Sequence, residues 1–182
     1  ERDLYRAFNT GQFELYYQPI VDENRKIRGA EALIRWHHPR LGLIVPAGFI
    51  PLAEETGVVS EIGKWALFTA TKQVKKWLNG YDLYVSINIS APEFENGILR
   101  EVIFAALRQA GDLDPSKLVL EITESEGMLS PERTLTRMNE IINMGVQIYI
   151  DDFGTGLSSL QYLKILPTQA LKIDKAFVDA IE

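Results

Sequence analysis

The sequence contains no cysteine among its 182 residues. This absence excludes disulfide bonds, thiolate metal sites and a cysteine nucleophile, and it is compatible with a reducing compartment. Any catalytic or metal chemistry must therefore come from other side chains.

Long hydrophobic runs are also absent. Stretches such as "GLIVPAGFIPLA" are broken by proline and glycine and fall short of the roughly 20 apolar residues that span a bilayer. The chain starts with Glu1 rather than Met and shows no basic or apolar leader region. We therefore expect no membrane contact by this domain, and we expect it to be a piece of a longer protein.

Basic residues are fewer than acidic ones, with 19 Lys and Arg against 25 Asp and Glu, which gives a net charge of -6. This balance argues against binding a nucleic-acid polymer through its phosphates. A smaller phosphate ligand would need a few arginines or metal ions. The composition, 46% hydrophobic and 24% charged, suits one domain with a core, and no repeat or linker marks an internal boundary.

Three segments show the apolar periodicity of helices. The first covers Ser60–Gly80, with Ser60 as the predicted N-cap and Gly80 past the end. The second runs from Ile98 to Ala110. The third has Ser130 as N-cap and Pro131 at its first position, and it closes at Gly145.

Six β-rich runs alternate with these helices: "FELYYQPI", "GAEALIRW", "LYVSINIS", "LVLEITE", "VQIYIDD" and "ALKID". Strands separated by helices predict parallel βαβ units that close into a (β/α)8 barrel. A complete barrel takes about 250 residues and at least 200. We therefore predict an α/β fold of TIM-barrel type whose C-terminal strands are missing from this chain.

Polar residues recur on one face of these strands, although parallel strands buried on both faces are usually apolar throughout. They come from five consecutive strands and lie mostly near the carboxyl ends, where barrel enzymes build active sites. The candidate residues are Glu31, Arg35, Asn88, Glu121, Asp151 and Lys172.

Three converging carboxylates would repel one another or take up protons unless a cation lay between them. Oxygen ligands of this kind suit Mg²⁺ or Mn²⁺. Adjacent Asp151 and Asp152 point to different sides of the strand end and could serve two ions about 3.5–4 Å apart, the usual arrangement for phosphodiester cleavage. Lys172 could orient or deprotonate the attacking water, and Arg35 could hold a phosphate oxygen.

Simpler interpretations compete with this one. A single acidic residue in a strand more often occupies a solvated edge position. Here five strands carry polar residues on the same face, which makes that explanation weak. The adjacent His37 and His38 usually would point apart, so we interpret them as part of a solvated loop rather than a zinc site.

The motifs "YYQPIV", "EALIRW", "FIPLAEETG", "SINIS", "LEITES", "DDFGTGLSSLQYL" and "LKIDKAFV" resemble, in order, the signatures of the EAL domain family of bacterial cyclic di-GMP phosphodiesterases. The resemblance covers the whole chain, so residues 1–182 are assigned to one C-terminally incomplete EAL domain. It implies a modified barrel with an antiparallel first strand and hydrolysis of cyclic di-GMP to linear pGpG, with Mg²⁺ or Mn²⁺ required and Ca²⁺ inhibitory.

The resemblance also assigns roles to positions. It implies a first metal held by Glu31, Asn88, Glu121 and Asp151, a second held by Asp151 and Asp152, and a nucleophilic water contacted by Lys172. The implied substrate contacts are Gln18, Leu33 and Arg35, together with a loop of Phe49, Ile50 and Pro51 beside a guanine. Glu124 corresponds to a glutamate that braces the loop after Asp152, a loop used in dimer contacts and regulation.

The family further implies a homodimer fused to sensor or GGDEF domains. We expect a cytoplasmic location, with the cytoplasmic part of a larger, membrane-anchored protein as an alternative. The chain ends at Glu182, before the segment that supplies a further metal-ligating glutamate in the family, so we expect poor turnover from this chain alone. The rival hypotheses are a catalytically inert module that binds cyclic di-GMP or a partner protein, and a module that only dimerises and relays a signal.

Overall fold

A seven-stranded sheet forms the centre of the protein, in a computed structural model that describes residues 2–124, 131–154 and 165–179. Its strands are β1 (Phe13–Val21), β2 (Ile27–His38), β3 (Gly42–Ile44), β4 (Tyr84–Asn88), β5 (Leu118–Thr123), β6 (Gln147–Phe153) and β7 (Ala170–Ile173). They lie in the order β1-β2-β4-β5-β6-β7, and the short β3 pairs with the end of β2.

The sheet is mostly parallel. β1 runs antiparallel to β2, with Phe13 opposite Trp36 and Gln18 opposite Glu31, and every pair from β2–β4 to β6–β7 is parallel. All six predicted strands are present, and the α/β class and the antiparallel first strand are confirmed. The topology is consistent with part of a modified TIM barrel. Among the strands of the described residues, the three-residue β3 is the one that the sequence did not predict.

The described helices are α1 (Arg2–Asn9), α2 (Ile50–Glu55), α3 (Val59–Trp77), α4 (Ala91–Glu95), α5 (Leu99–Gln109), α6 (Pro131–Ile142) and α7 (Lys175–Val178), with short 3-10 turns at Pro46–Gly48 and Pro115–Lys117. The three long predicted helices correspond to α3, α5 and α6. Within the described ranges, no helix has the length and apolar character needed to cross a membrane.

The predicted cap of α3 is wrong. The helix begins at Val59, so Ser60 lies inside its first turn, and the residue before the helix, Val58, makes no side-chain capping bond. Burial explains the difference, because Val58 and Val59 are 5% and 2% exposed and their packing positions the start of the helix. The predicted cap of α6, Ser130, lies outside the described residues.

The larger core lies between the sheet and the crossover helices. Outward-facing strand residues and helix residues meet there with at most 3% of their surface exposed, namely Ala70, Val74, Val85, Ile87, Ile103, Leu118, Leu120 and Ile148. Burial of these side chains accounts for the alternation read in the sequence. The apolar positions face the helices, so the alternating polar positions face the opposite side of the sheet.

A second core supports the β1–β2 hairpin. Leu4 of α1, Ala53 of α2 and the rings of Phe13, Trp36 and Phe49 are each at most 8% exposed and pack together. The ring centroids of Phe13 and Phe49 are 5.6 Å apart. This core holds one face of the hairpin, including the part of β2 beyond Ala32 that β4 does not reach.

Gly63 of α3 lies against the Glu93 side chain of α4. A Cβ atom added there would lie 1.4 Å from Glu93 Oε1. The Glu93 side chain cannot easily move away, because its Oε2 accepts hydrogen bonds from Ser90 N and Ser90 Oγ in a capping box that begins α4. Glycine is therefore required here by space.

We predict that Gly63→Ala destabilises the protein by about 1–3 kcal/mol, although alanine favours helices, because the added methyl group must break the capping box or push the helices apart. Urea unfolding would measure the change. The matched control is Gly80→Ala, since a Cβ at Gly80 meets no atom within 4 Å. Equal stability of the two variants would contradict this account of the contact.

Candidate functional site

Three carboxylates from different parallel strands meet at one side of the sheet. Glu31 of β2, Glu121 of β5 and Asp151 of β6 each offer an oxygen atom, and these atoms all lie within 4.8 Å of one another. The polar positions that alternate with apolar ones along these strands, as the sequence predicts, thus meet in one cluster.

Lys172 of β7 lies among these carboxylates. Its Nζ donates to Glu121 Oε2 at 2.6 Å, to Asp151 Oδ2 at 2.8 Å and to Glu31 Oε2 at 3.2 Å. Burial alone would lower the pKa of Lys172, but its hydrogen bonds to Asp151 and Glu121 and the charges of Glu121 and Glu31 outweigh burial and raise the pKa. The ammonium is therefore fully charged at neutral pH in this arrangement.

Asn88 joins the cluster from β4, where it lies opposite Glu121 in the parallel register. Its Nδ2 donates to Glu31 Oε1 at 2.9 Å. The side-chain oxygen of the same amide is the atom that metal ligation would use. The structure thus brings together all four residues of the predicted first metal site.

Glu121 is the most deeply buried member, with none of its side chain exposed. Burial raises the pKa of its carboxyl, and the hydrogen bond from Lys172 offsets this only in part. Ser86 Oγ and Glu121 Oε1 are both buried, and neither has a hydrogen bond of good geometry within the described residues. A buried carboxylate oxygen without such a partner is costly unless a ligand satisfies it.

Asp152 lies beside the cluster but outside the group of three. The β6–β7 register shifts between Ile150 and Phe153, and Asp152 takes a left-handed backbone conformation with φ 53°. Asp151 is a member of the group of three and Asp152 is not, and the assignment of Asp152 to a second ion stays a prediction. Burial, followed by the charges of Asp151 and Asp174, raises the pKa of Asp152.

Glu124 lies directly after β5 and is 3% exposed. Its Oε2 accepts a hydrogen bond of 2.7 Å from the backbone N–H of Gly154, two residues beyond Asp152. Gly154 has a φ of 103°, which favours glycine. The contact holds the start of the segment that follows β6, the segment that Glu124 was expected to brace.

A cavity of about 490 Å³ opens beside the cluster. Its lining includes Leu33, Ile50 and Pro51 from the predicted substrate set and Asn88, Glu121 and Asp152 from the predicted metal set. Phe49 does not join them. Its ring is 1% exposed and packs in the second core, because α2 begins at the next residue and turns the ring inward.

The remaining predicted substrate residues lie on the hairpin. Gln18 faces Glu31 directly across the β1–β2 pair, so the two side chains share a face. Arg35 lies four residues further along β2 on that face, and its guanidinium carbon is 5.6 Å from the centre of the Tyr16 ring.

His37 and His38 end β2 rather than forming the expected loop. They do point apart, since His37 is exposed and His38 is 6% exposed. His38 Nδ1 accepts hydrogen bonds from the backbone N–H groups of Arg40 and Leu41, each at 3.1 Å, so His38 stabilises the β2–β3 turn.

Sequence reasoning missed the tyrosines below the cluster. The rings of Tyr84 and Tyr149 are 6.4 Å apart, and Tyr149 lies opposite Glu121 in the β5–β6 register. Burial raises the pKa of Tyr84 to about 12, so its hydroxyl stays neutral. The signal was available, because both tyrosines lie in the same strand phase as Asn88 and Asp151.

The donor set fits a hard divalent cation. It consists of carboxylate oxygens and one amide, and its three acidic oxygens are close enough to share one ion. It also includes a buried carboxylate oxygen that has no well-formed hydrogen bond to any residue that the structure describes.

Fold and site together define an α/β protein of barrel type with a carboxylate-rich site at the carboxyl ends of its parallel strands. The sequence matches the EAL domain family model over residues 1–182. The chain therefore belongs to the EAL domain family.

Individual relatives agree with this assignment. The chain is 45% identical over 183 residues to the bifunctional diguanylate cyclase/cyclic di-GMP phosphodiesterase MucR of Pseudomonas aeruginosa, covering 98% of this chain and 26% of MucR. It is 36% identical to the cyclic di-GMP phosphodiesterase PdeR of Escherichia coli, covering 98% of this chain and 27% of PdeR. The chain thus spans about a quarter of these relatives.

A solved structure is also similar. The PaMucR phosphodiesterase in complex with c-di-GMP matches with a TM-score of 0.93 and 44% sequence identity, over 98% of this chain and 73% of that one. The match shows that the mostly parallel sheet has the arrangement found in EAL structures.

Lys172 and a divalent cation would compete for the same oxygens. We therefore predict that Lys172→Met strengthens Mn²⁺ binding roughly tenfold, because it removes a positive charge that contacts three potential ligands. Calorimetric titration with MnCl₂ would measure this. Lys175→Met is the matched control, since Lys175 is exposed and pairs with Asp179 away from the cluster. Weaker Mn²⁺ binding by Lys172→Met would mean that Lys172 organises the carboxylates instead of competing for them.

Proposed function

We propose that this chain is a metal-dependent phosphodiesterase domain that hydrolyses cyclic di-GMP to linear pGpG. The observation that carries the proposal is the convergence of Glu31, Glu121 and Asp151 within 4.8 Å, with Asn88 and Lys172 in direct contact with the group. The names of MucR and PdeR, both cyclic di-GMP phosphodiesterases, support the substrate.

In this proposal, Glu31, Asn88, Glu121 and Asp151 hold one Mg²⁺ or Mn²⁺, and Asp151 and Asp152 hold a second. When bound, such ions supply Lewis-acid stabilisation of the negative charge that develops on phosphodiester oxygens. The raised pKa values of Glu121 and Asp152 reflect the cost of charge in this partly buried site. A divalent cation would relieve that cost.

Lys172 acts as a hydrogen-bond donor in this proposal. Its raised pKa favours orienting the attacking water over removing a proton from it, because a charged ammonium has no lone pair. A cation on the same carboxylates would oppose that rise in pKa. Lys172 thus contributes a positive charge and orients the attacking water from β7.

The substrate would occupy the cavity and the adjoining hairpin face. Leu33, Ile50 and Pro51 supply its apolar wall, Gln18 a polar group beside Glu31, and Arg35 a cation for a phosphate oxygen or a base. The Phe49 ring supports this wall from the core without lining it.

Glu124 is a positioning residue in this proposal. Its hydrogen bond to Gly154 N fixes the backbone immediately after Asp152. Loss of this acceptor would shift Asp152 relative to the cluster, so Glu124 would affect hydrolysis without touching substrate.

We also propose that residues 1–182 form one domain of a larger cytoplasmic signalling protein with sensor or GGDEF domains, and that the domain forms homodimers. The small share of each relative that the chain spans supports the first part.

We predict that Glu31→Gln lowers kcat/KM for pGpG release by at least roughly 100-fold, because it removes one charged metal ligand while keeping the side-chain shape. Chromatography of the products formed with Mg²⁺ or Mn²⁺ would measure the change. Glu23→Gln, an exposed substitution in the β1–β2 turn, is the control.

A binding measurement separates the enzyme from the inert receptor module. Cyclic di-GMP is titrated in the presence of Ca²⁺, an ion that we propose inhibits hydrolysis. Binding without pGpG release under Mg²⁺ and Mn²⁺ would support the inert receptor module instead. Absence of both binding and release would contradict either form of cyclic di-GMP recognition.

A further inference from the structure

Ser86 is a buried hydroxyl on the polar side of the sheet that the proposed function does not use. It lies in β4 two residues before Asn88, so the two side chains point to the same side of the strand. Ser86 is 0% exposed, and its Oγ forms no hydrogen bond of good geometry with any residue that the structure describes. A buried hydroxyl in this state is uncommon in proteins and calls for an explanation.

The strand register sets Ser86 between two of the carboxylates. On one side it lies directly opposite Glu31 of β2. On the other side it lies opposite Val119 of β5, and Glu121 follows Val119 by two residues on the same face. Diagonal neighbours in a sheet are about 7–8 Å apart, which is within reach of a long side chain. The Glu121 carboxylate can therefore meet the Ser86 hydroxyl.

Glu121 has an unused oxygen to match. Its Oε2 accepts from Lys172 Nζ at 2.6 Å, whereas its buried Oε1 has no hydrogen bond of good geometry in the described part of the chain. Burial, Lys172 and Glu31 have the larger effects on the pKa of this carboxyl, which is raised, and Ser86 has a smaller one. A buried donor and a buried acceptor thus lie near each other, each without a well-formed partner.

A small rotation would join the two groups. The side-chain torsion of serine has three staggered positions, and the hydroxyl hydrogen turns about the C–O bond. The hydroxyl can donate, whereas an ionised carboxylate only accepts. A hydrogen bond to a charged acceptor is stronger than one between neutral groups. It would favour the ionised form of Glu121, which is the form that binds a cation.

The tyrosine pair closes the side of these groups that faces away from the cluster. Tyr84 precedes Ser86 by two residues on the same face, and Tyr149 lies opposite Glu121 in the β5–β6 register. Their ring centroids are 6.4 Å apart. Ser86 and Glu121 are at most 1% exposed. Bulk water therefore has little access to Glu121 Oε1, and a protein donor is needed there.

We propose that Ser86 is a positioning residue of the metal site, whose hydroxyl donates to Glu121 Oε1 and fixes the carboxylate with Oε2 toward the cation. The Lys172 contact marks Oε2 as the oxygen that faces the other carboxylates. A cation shared with Glu31 and Asp151 would approach from that side, and Oε1 would remain for Ser86. The inference rests on the proposed function and deepens it, because it adds a residue that acts on the metal through Glu121.

Hydrogen bonds to ligating carboxylates have a measurable effect on metal affinity. Such outer partners orient the ligand before the metal arrives, and their loss typically lowers the affinity by about 10- to 100-fold. Ser86 comes from β4 and Glu121 from β5, so their hydrogen bond would also link two neighbouring strands of the site.

The test is calorimetric titration of the chain with MnCl₂. We expect Ser86→Ala to weaken Mn²⁺ binding by about 10- to 100-fold, because Glu121 loses the donor that orients it. Ser60→Ala removes a hydroxyl from the first turn of α3 and is the matched control. It should bind Mn²⁺ as the wild type does.

Thermal unfolding without metal separates positioning from a structural role. The unfolding temperature of metal-free Ser86→Ala should be unchanged or higher, because alanine removes a buried hydroxyl that has no well-formed hydrogen bond within the described ranges. A purely structural role predicts a lower temperature with unchanged Mn²⁺ affinity, and that result would overturn the inference. Added MnCl₂ should raise the unfolding temperature of Ser86→Ala less than that of the wild type.

A second variant keeps the size of the side chain. Ser86→Cys replaces the hydroxyl by a thiol, which is a weak donor, so its Mn²⁺ affinity should fall as that of Ser86→Ala does. Wild-type affinity in Ser86→Cys would mean that the volume of the side chain matters and its hydroxyl does not, and the inference would then be wrong.

The outcomes also separate this inference from the proposed function. Equal Mn²⁺ affinity of the wild type and Ser86→Ala would overturn the role of Ser86 and leave the proposed function intact. Mn²⁺ binding that depends on Ser86, in a chain that releases no pGpG, would support the role of Ser86 and contradict the hydrolysis. A wild type that binds no Mn²⁺ would overturn both.

Discussion

Repulsion among converging carboxylates is the constraint around which the polar side of this protein is organised. Glu31, Glu121 and Asp151 approach within 4.8 Å in a partly buried site, where charge is costly. Lys172 offsets part of this cost by contacting all three, and its own pKa is raised as a result. The buried Glu121 oxygen without a good hydrogen bond shows that the compensation is incomplete within the described residues. Such a site is suited to a divalent cation.

The fold holds these charges together through the alternation of strand side chains. Ile87, Leu120 and Ile148 bury their side chains against the crossover helices, and this burial fixes the phase of each strand. The neighbouring strand positions must then face the other side of the sheet, where they form the carboxylate cluster and the tyrosine pair Tyr84 and Tyr149 next to it. The same division continues in the β1–β2 hairpin, whose buried face anchors an exposed face beside the site. Core packing and placement of the polar site are therefore consequences of one pattern.

Much of this arrangement could be predicted from the sequence. All six main strands could be predicted, because their alternation of apolar and polar residues is regular. The same alternation places the polar residues on a common side of the sheet, namely Glu31, Asn88, Glu121, Asp151 and Lys172. Failures occurred where tertiary packing overrides a local signal. Ser60 has the chemistry of an N-cap but lies inside α3, and Phe49 follows a glycine in an apparent loop yet is a core residue. His38 likewise stabilises a turn because the hairpin buries it.

The sequence by itself determined the class of the fold, the family and the residue types of the site, since these depend on periodicity and on ordered motifs. Only the tertiary structure decided the contacts. It placed Lys172 Nζ among three carboxylates, gave Asp152 a left-handed backbone beside a register shift, and set Gln18 opposite Glu31. The reason is that these distances depend on the register between strands far apart in the chain, and register is fixed by packing of the whole sheet rather than by any local pattern.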